Sequence, residues 1–308
     1  SVYAFRRARL SPGNSRLQLV GLAASLGILP WLHAGYLLIS IPLLFFFLAK
    51  SWGDRRALAV VLPVVAASGG LFLYYYYDLY GMIIPNYADH AEFLFPFGTL
   101  QGMLGLLLDQ QWGLLVYSPF YLVALAGIGL LFRTRRLEAI WLLLATAPTF
   151  LFFASYSQWW GEWCPPARYL APILPLAAAP VALFLRHSDL PGRVLSGFLL
   201  AVSLLIMGGF AVAPKLMYNH PTGESQFFLA LAGASGFDLT PWLPSLVNPG
   251  PGVYWQASLA VAIVAAVVAF LIGSAESKKG AGVVPGGFQA LYYLWSLGRR
   301  FEEKHPRV

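Results

Sequence analysis

The side chain best suited to chemistry is Arg168, set in the segment Gln158-Trp159-Trp160-Gly161-Glu162-Trp163-Cys164-Pro165-Pro166-Ala167-Arg168-Tyr169-Leu170. A guanidinium presents a planar fork of donors that matches a phosphate. Pro165 and Pro166 keep the approach extended and hold Arg168 at a helix start, where free N–H groups and the helix dipole also favour an anion. The structural alternative pairs Glu162 with Arg168 as the anchor of an interfacial loop. In that alternative Trp159, Trp160 and Trp163 are aromatic-belt residues and nothing more.

A second set lies between residues 78 and 111, a stretch with no Lys or Arg. Asp78, Asp89, His90 and Glu92 could supply a general base, or oxygen and imidazole ligands for a divalent cation. Their spacing matches no specific metal motif, so no metal site is assigned, and scattered acids on a loop are more often solvated surface. His33, Lys215 and His220 are single polar groups that could reach a substrate, with a backbone partner or solvation as the alternative for each. Asp109 precedes Gln110-Gln111-Trp112-Gly113 and reads as a cap or anchor for a short helix.

These residues have to be positioned by an apolar scaffold. Of 308 residues, 58% are hydrophobic and only 11% charged, with a mean hydropathy of +0.66. Soluble domains carry roughly 25% charged residues, so this chain lacks the polar surface to face water all round. Its apolar stretches are continuous rather than alternating, which argues against a β-barrel and predicts helices crossing a bilayer. The fold class expected is therefore all-α: a polytopic integral membrane protein of about eight transmembrane helices, with short interfacial helices in outer loops.

The expected spans are about 17–30, 34–49, 57–77, 114–132, 137–154, 169–185, 194–213 and 253–273, followed by a basic tail over 274–308. The first two come from one long stretch divided near Pro30, with a turn over residues 31–35. Residues 98–108 are apolar but too short to span, and read as a helix lying in the interface. Tyr74–Tyr77 suit an aromatic belt.

The net charge of +7 does not point to nucleic acid, because the basic residues sit in short clusters between apolar stretches. Placing both termini in the cytoplasm puts 18 of the 20 Lys and Arg inside, as the positive-inside rule requires. Arg168 and Lys215 are then the only basic residues outside. A cation at the mouth of a span is costly unless it snorkels, pairs or meets an anion. Cys164 is the single cysteine, which excludes an intramolecular disulfide. Charges are nearly absent within the spans, which argues against an ion-driven transporter.

Three stretches resemble a known family. Trp159-Trp160-Gly161-Glu162-Trp163 through Pro166, Arg168-Tyr169-Leu170 and Pro172 to Pro175 resemble a Trp-Trp-Gly…Gly-Pro-Arg-Tyr-Leu…Pro signature. That signature belongs to bacterial multi-span proteins of the GT-C superfamily of lipid-linked-sugar glycosyltransferases, near the protein-mannosyltransferase-like group. Leu29-Pro30-Trp31-Leu32-His33 with Tyr36 resembles the short paired helices of that fold. Asp109 to Leu115, followed by Tyr117-Ser118-Pro119, resembles a further element. The likeness covers roughly residues 17–190; Glu162 and Pro166 depart from it, standing where small or glycine residues are expected.

The resemblance implies transfer of a sugar from a polyprenyl-phosphate carrier to an extracytoplasmic acceptor, in the bacterial inner (plasma) membrane. The partners implied are the lipid bilayer and the polyprenyl-phosphate-linked sugar. The binding residues expected are Arg168 on the lipid phosphate, with Trp159, Trp160, Glu162, Tyr169, His33 and Lys215 around it. The family's catalytic Asp or Glu lies in the first outer loop, and no matching span and acidic motif precede Tyr36. The chain is therefore expected to be a C-terminal part, with Asp89 and Glu92 as weak stand-ins for the acid/base. The alternatives are a lipid or polysaccharide transporter or flippase, and a non-catalytic membrane assembly subunit.

Overall fold

A computed structural model describes residues 15–32, 34–81 and 97–280. Its elements are α1 (Ser15–Leu32), α2 (Leu37–Ser51), α3 (Arg55–Tyr80), α4 (Phe97–Leu108), α5 (Leu114–Tyr117), α6 (Tyr121–Thr134), α7 (Arg136–Ser155), α8 (Ala178–His187), α9 (Leu190–Val212), α10 (Gln226–Ser235) and α11 (Val253–Gly280). Short 3-10 turns stand between several of them, and the described residues contain no strand. The all-α class holds.

Among the described residues, four helices are long and apolar enough to cross a membrane: α3, α7, α9 and the Val253–Glu276 portion of α11. The other expected spans are shorter or broken. Residues 17–30 and 34–49 become α1 and α2, joined by a 3-10 turn over Ala34–Tyr36. The stretch 114–132 divides into α5 and α6, because Tyr121 and Leu122 donate to the Ser118 and Pro119 carbonyls (3.1 and 3.0 Å) and start a new helix there. The stretch 169–185 opens with 3-10 turns over Arg168–Leu170 and Leu174–Ala177 before α8 begins. Pro172 and Pro175 lack the N–H groups an α-helix would need there.

Helix ends follow local chemistry. Asp54 caps α3, its Oδ1 accepting from the Arg56 and Ala57 N–H groups at 3.1 Å each. Gly81, left-handed at φ 66°, closes that helix. Asp189 caps α9 by accepting from the Gly192 N–H at 3.0 Å.

The main core surrounds α6, whose Val123, Ala126 and Leu130 meet Phe184 of α8 and Leu271 and Ala275 of α11. Gly127 lets α6 press against α8, since a Cβ there would overlap the Pro180 carbonyl. Small residues at such crossings are how apolar helices approach one another closely. α1 pairs with α3 in a smaller cluster, where the Ser68 hydroxyl donates to the Gly27 carbonyl (2.8 Å) and accepts from the Trp31 indole (3.0 Å). Phe46 of α2 and Trp141 of α7, 5.1 Å apart, link the two parts. α4, which falls on the short apolar stretch 98–108, packs against α7, with Leu106 and Leu108 buried.

The two ends of the helix bundle differ in chemistry. At one, Arg133 pairs with Glu276, Arg135 with Glu138 (3.2 Å), and the Asp189 N–H donates to the Ser274 carbonyl (3.2 Å). At the other, the connections 109–120, 156–177 and 213–252 fold against one another. Among the described residues, Arg168 and Lys215 are the basic side chains at that second end.

Candidate functional site

The second end is organised by the turn that follows α4. Asp109 is fully buried, yet every near neighbour it bonds is a backbone N–H. Its Oδ1 accepts from Gln111 (2.7 Å) and Trp112 (3.2 Å), and its Oδ2 accepts from Leu246 (2.6 Å), which lies 137 residues further along the chain. Burial pushes the Asp109 carboxyl up to about 6, against the opposing pull of the N–H groups of Leu246, Gln111, Trp112 and Val247.

The two glutamines extend this turn into the 213–252 connection. The Gln110 N–H donates to the Pro244 carbonyl at 2.9 Å. Gln111, also fully buried, accepts from the Gly223 N–H (3.0 Å) and donates to the His220 and Glu224 carbonyls. Asn219 answers by donating to the Gln111 carbonyl (2.8 Å) while accepting from the Gln226 N–H (3.1 Å). Tyr117 donates to the Gln110 carbonyl at 2.7 Å and shares a 2.6 Å bond with Ser225, the cap of α10. Most buried polar groups are satisfied in this way; Gln110 Oε1, Trp112 Nε1 and Trp160 Nε1 are buried here without a hydrogen-bond partner among the described residues.

The aromatic segment 156–170 leans on the same turn. Trp159 is buried, its ring lying over Gly105 of α4, where any Cβ would collide with it. Tyr169 stacks on Phe153 of α7 at 4.3 Å with an interplanar angle of 8°. Gly161 and Glu162 are both left-handed (φ 78° and 58°), as is Ala167 (φ 57°). Glu162 therefore adopts the backbone that glycine would take there without strain. Ala167 is held by its N–H, which donates to the Trp112 carbonyl at 3.0 Å. Cys164 is buried, its thiol donating to the Trp160 carbonyl at 3.3 Å. Burial pushes that thiol up, while the adjacent Arg168 pulls it down.

Between these two layers lies an open groove of about 580 Å³. Its walls include Leu114, Leu174 and Met207, with Pro165 and Pro166 along one rim and Tyr218 and Ser118 as neutral polar groups. Arg168 is the one charged residue among the described residues lining it. Arg168 is exposed, and no described carboxylate lies within ion-pair distance of it. The Glu162–Arg168 pair considered as a structural alternative is not formed. Trp163 also lines the groove and meets the His220 ring at 4.7 Å, joining the two outer segments.

Of the described residues expected to bind substrate or act as acid or base, Arg168 alone lines the groove. Trp159, Trp160 and Tyr169 pack beneath it, Trp160 meeting Trp159 edge-on at 5.6 Å. Glu162 and Lys215 are exposed and do not line it, and Asp78 sits exposed near the end of α3. His33, Asp89, His90 and Glu92 lie outside the described residues. Among the described residues no group of three or more His, Cys, Asp or Glu could hold a metal ion.

The sequence reading missed Gln111, Asn219 and Tyr117 as organisers, and Trp163 as a groove residue. One signal was present: an Asp-Gln-Gln run between two apolar stretches has to find partners if it is buried. An apolar trough with a single guanidinium suits an amphiphilic anion, the apolar portion along the walls and the charge at Arg168. No described lining residue is a carboxylate.

No protein-family model, curated protein or solved structure matches the chain.

Proposed function

We propose that this chain is the lipid-phosphate-binding part of a membrane glycosyltransferase that draws its sugar from a polyprenyl-phosphate carrier. The observation that carries the reading is Arg168: a guanidinium without a carboxylate partner among the described residues, on an apolar-walled groove at the end of the bundle away from the other basic clusters. The positive-inside rule puts those clusters in the cytoplasm and the groove on the extracytoplasmic face. The resemblance of the Trp159–Leu170 segment to GT-C proteins supports the same class.

In this reading the polyprenyl chain runs along the apolar walls and the phosphate meets Arg168. As the sugar leaves, negative charge grows on the phosphate, and a fixed guanidinium stabilises that charge more than the ground state. Transfer also needs a carboxylate to activate the acceptor. Asp89 and Glu92 are the candidates within this sequence.

Membranes carrying the full-length protein would be incubated with a polyprenyl-phosphate-linked hexose and assayed for release of polyprenyl phosphate. Arg168→Ala is expected to abolish release while the protein remains inserted at normal abundance. Unchanged turnover in Arg168→Ala removes the phosphate assignment.

A further inference from the structure

We infer that Asp109 is the positioning residue for Arg168: its buried carboxylate clasps the turn 109–113 to the segment at Leu246 and, through Trp112, fixes the backbone from which Arg168 reaches the groove.

The site is an unfavourable place for a carboxylate. Asp109 directly follows α4, whose C-terminal carbonyls carry the negative end of the helix dipole. It is also fully buried. A helix of this length could be ended there by a neutral residue at lower cost. What a carboxylate adds is capacity: two oxygens that accept several N–H bonds and donate none. Asp109 uses both oxygens, one for Gln111 and Trp112 within its own turn and the other for Leu246.

The consequence runs into the groove on both sides. On one, the Gly113 N–H donates to the Asp109 carbonyl at 2.8 Å, and a Cβ on Gly113 would press on the Asp109 backbone. The turn thereby starts α5, which supplies Leu114 and Tyr117 to the groove. On the other, the Trp112 carbonyl accepts the Ala167 N–H. Ala167 is left-handed, a conformation an alanine keeps only under external constraint. Arg168 is the next residue. Asp109 therefore never touches the ligand, yet it sets the spacing between the apolar wall and the guanidinium.

The ligand consequence rests on the proposed role of Arg168; the structural consequence does not, and the experiment separates them. Wild type, Asp109→Asn, Asp109→Ala and Arg168→Ala would be compared as the full chain in nanodiscs. An amide offers one acceptor oxygen, so Asp109→Asn holds either the turn or Leu246 but not both. If Asp109→Ala fails to fold, Asp109→Asn carries the test. Ser68→Ala, which removes the α1–α3 hydrogen bonds, controls for general destabilisation.

The first readout is the rate at which N-ethylmaleimide labels Cys164, the single and buried cysteine beside Arg168. Asp109→Asn is expected to speed labelling by about tenfold, the effect of one lost charge-assisted hydrogen bond, with Ser68→Ala unchanged. The second is the preference for polyprenyl monophosphate over the uncharged polyprenol. Asp109→Asn is expected to lose this preference while polyprenol still binds. Folded Asp109→Asn with Cys164 as protected as in wild type overturns the inference, as does Cys164 exposure with the phosphate preference intact. If wild type shows no phosphate preference, the proposed function fails, and the labelling rates still decide the role of Asp109.

Discussion

Asp109 and Arg168 lie at the same end of the bundle and are linked through one backbone hydrogen bond, yet they are handled in opposite ways. Asp109 is fully buried and accepts three backbone N–H groups at 2.6–3.2 Å. Arg168 is exposed on a groove and has no carboxylate within ion-pair distance among the described residues. A charge saturated by backbone bonds has its valence committed to the fold. A charge left open beside an apolar trough is available to a ligand. The two together describe a common division of labour, in which one ionised group builds the frame and another meets the substrate.

The contrast can be broken most severely at Asp109. Asp109→Ala leaves the Leu246 and Trp112 N–H groups buried without acceptors, and is expected to cost about 2–4 kcal/mol, read from thermal unfolding in detergent. Acid titration probes the same residue with a definite sign. Its folded value of about 6 lies above the ordinary 3.8 because of burial. The proton-linked part of the stability is therefore fully present below about pH 3.8 and is lost as pH rises through about 6, while the N–H bonds the carboxylate accepts remain. Wild type should lose stability relative to Asp109→Asn between those two values; a pH-independent difference would show that burial does not raise this carboxyl.

Smaller effects sharpen the picture further out. Asn219→Ala removes the bond to the Gln111 carbonyl and is expected to cost about 1–2 kcal/mol, with faster hydrogen exchange at Gln226, whose N–H it also holds. At the Arg168 side the expectation reverses. Glu162→Gly relieves a left-handed non-glycine residue and is expected to raise stability by about 0.5–1 kcal/mol. A loss on that substitution would mean Glu162 makes a contact that matters. Arg168→Ala should leave stability within about 0.5 kcal/mol, measured by the same unfolding assay.

The sequence carried the long helices and the lone cation, and for clear reasons. α3, α7, α9 and α11 are apolar over lengths that need no partner to be recognised. Arg168 stands out because, Lys215 apart, the other cations cluster elsewhere. The break at Ser118-Pro119-Phe120 was hidden, since a turn built largely of apolar residues leaves the hydropathy of 114–132 undisturbed. Pro172 and Pro175 were visible, but hydropathy outweighed them in the reading of 169–185. The Asp109 hub was the least legible part. Asp109 pairs with Leu246, and Gln111 beside it with Gly223 and Asn219, each more than 100 residues away, and no local pattern announces such pairing.

Binding of a lipid phosphate in the Arg168 groove can be measured by native mass spectrometry of the protein titrated with polyprenyl monophosphate and with polyprenol. Wild type is predicted to prefer the phosphate by about tenfold or more, as expected for a charge-assisted contact, and Arg168→Ala to bind both lipids equally. An undiminished phosphate preference in Arg168→Ala would contradict the account.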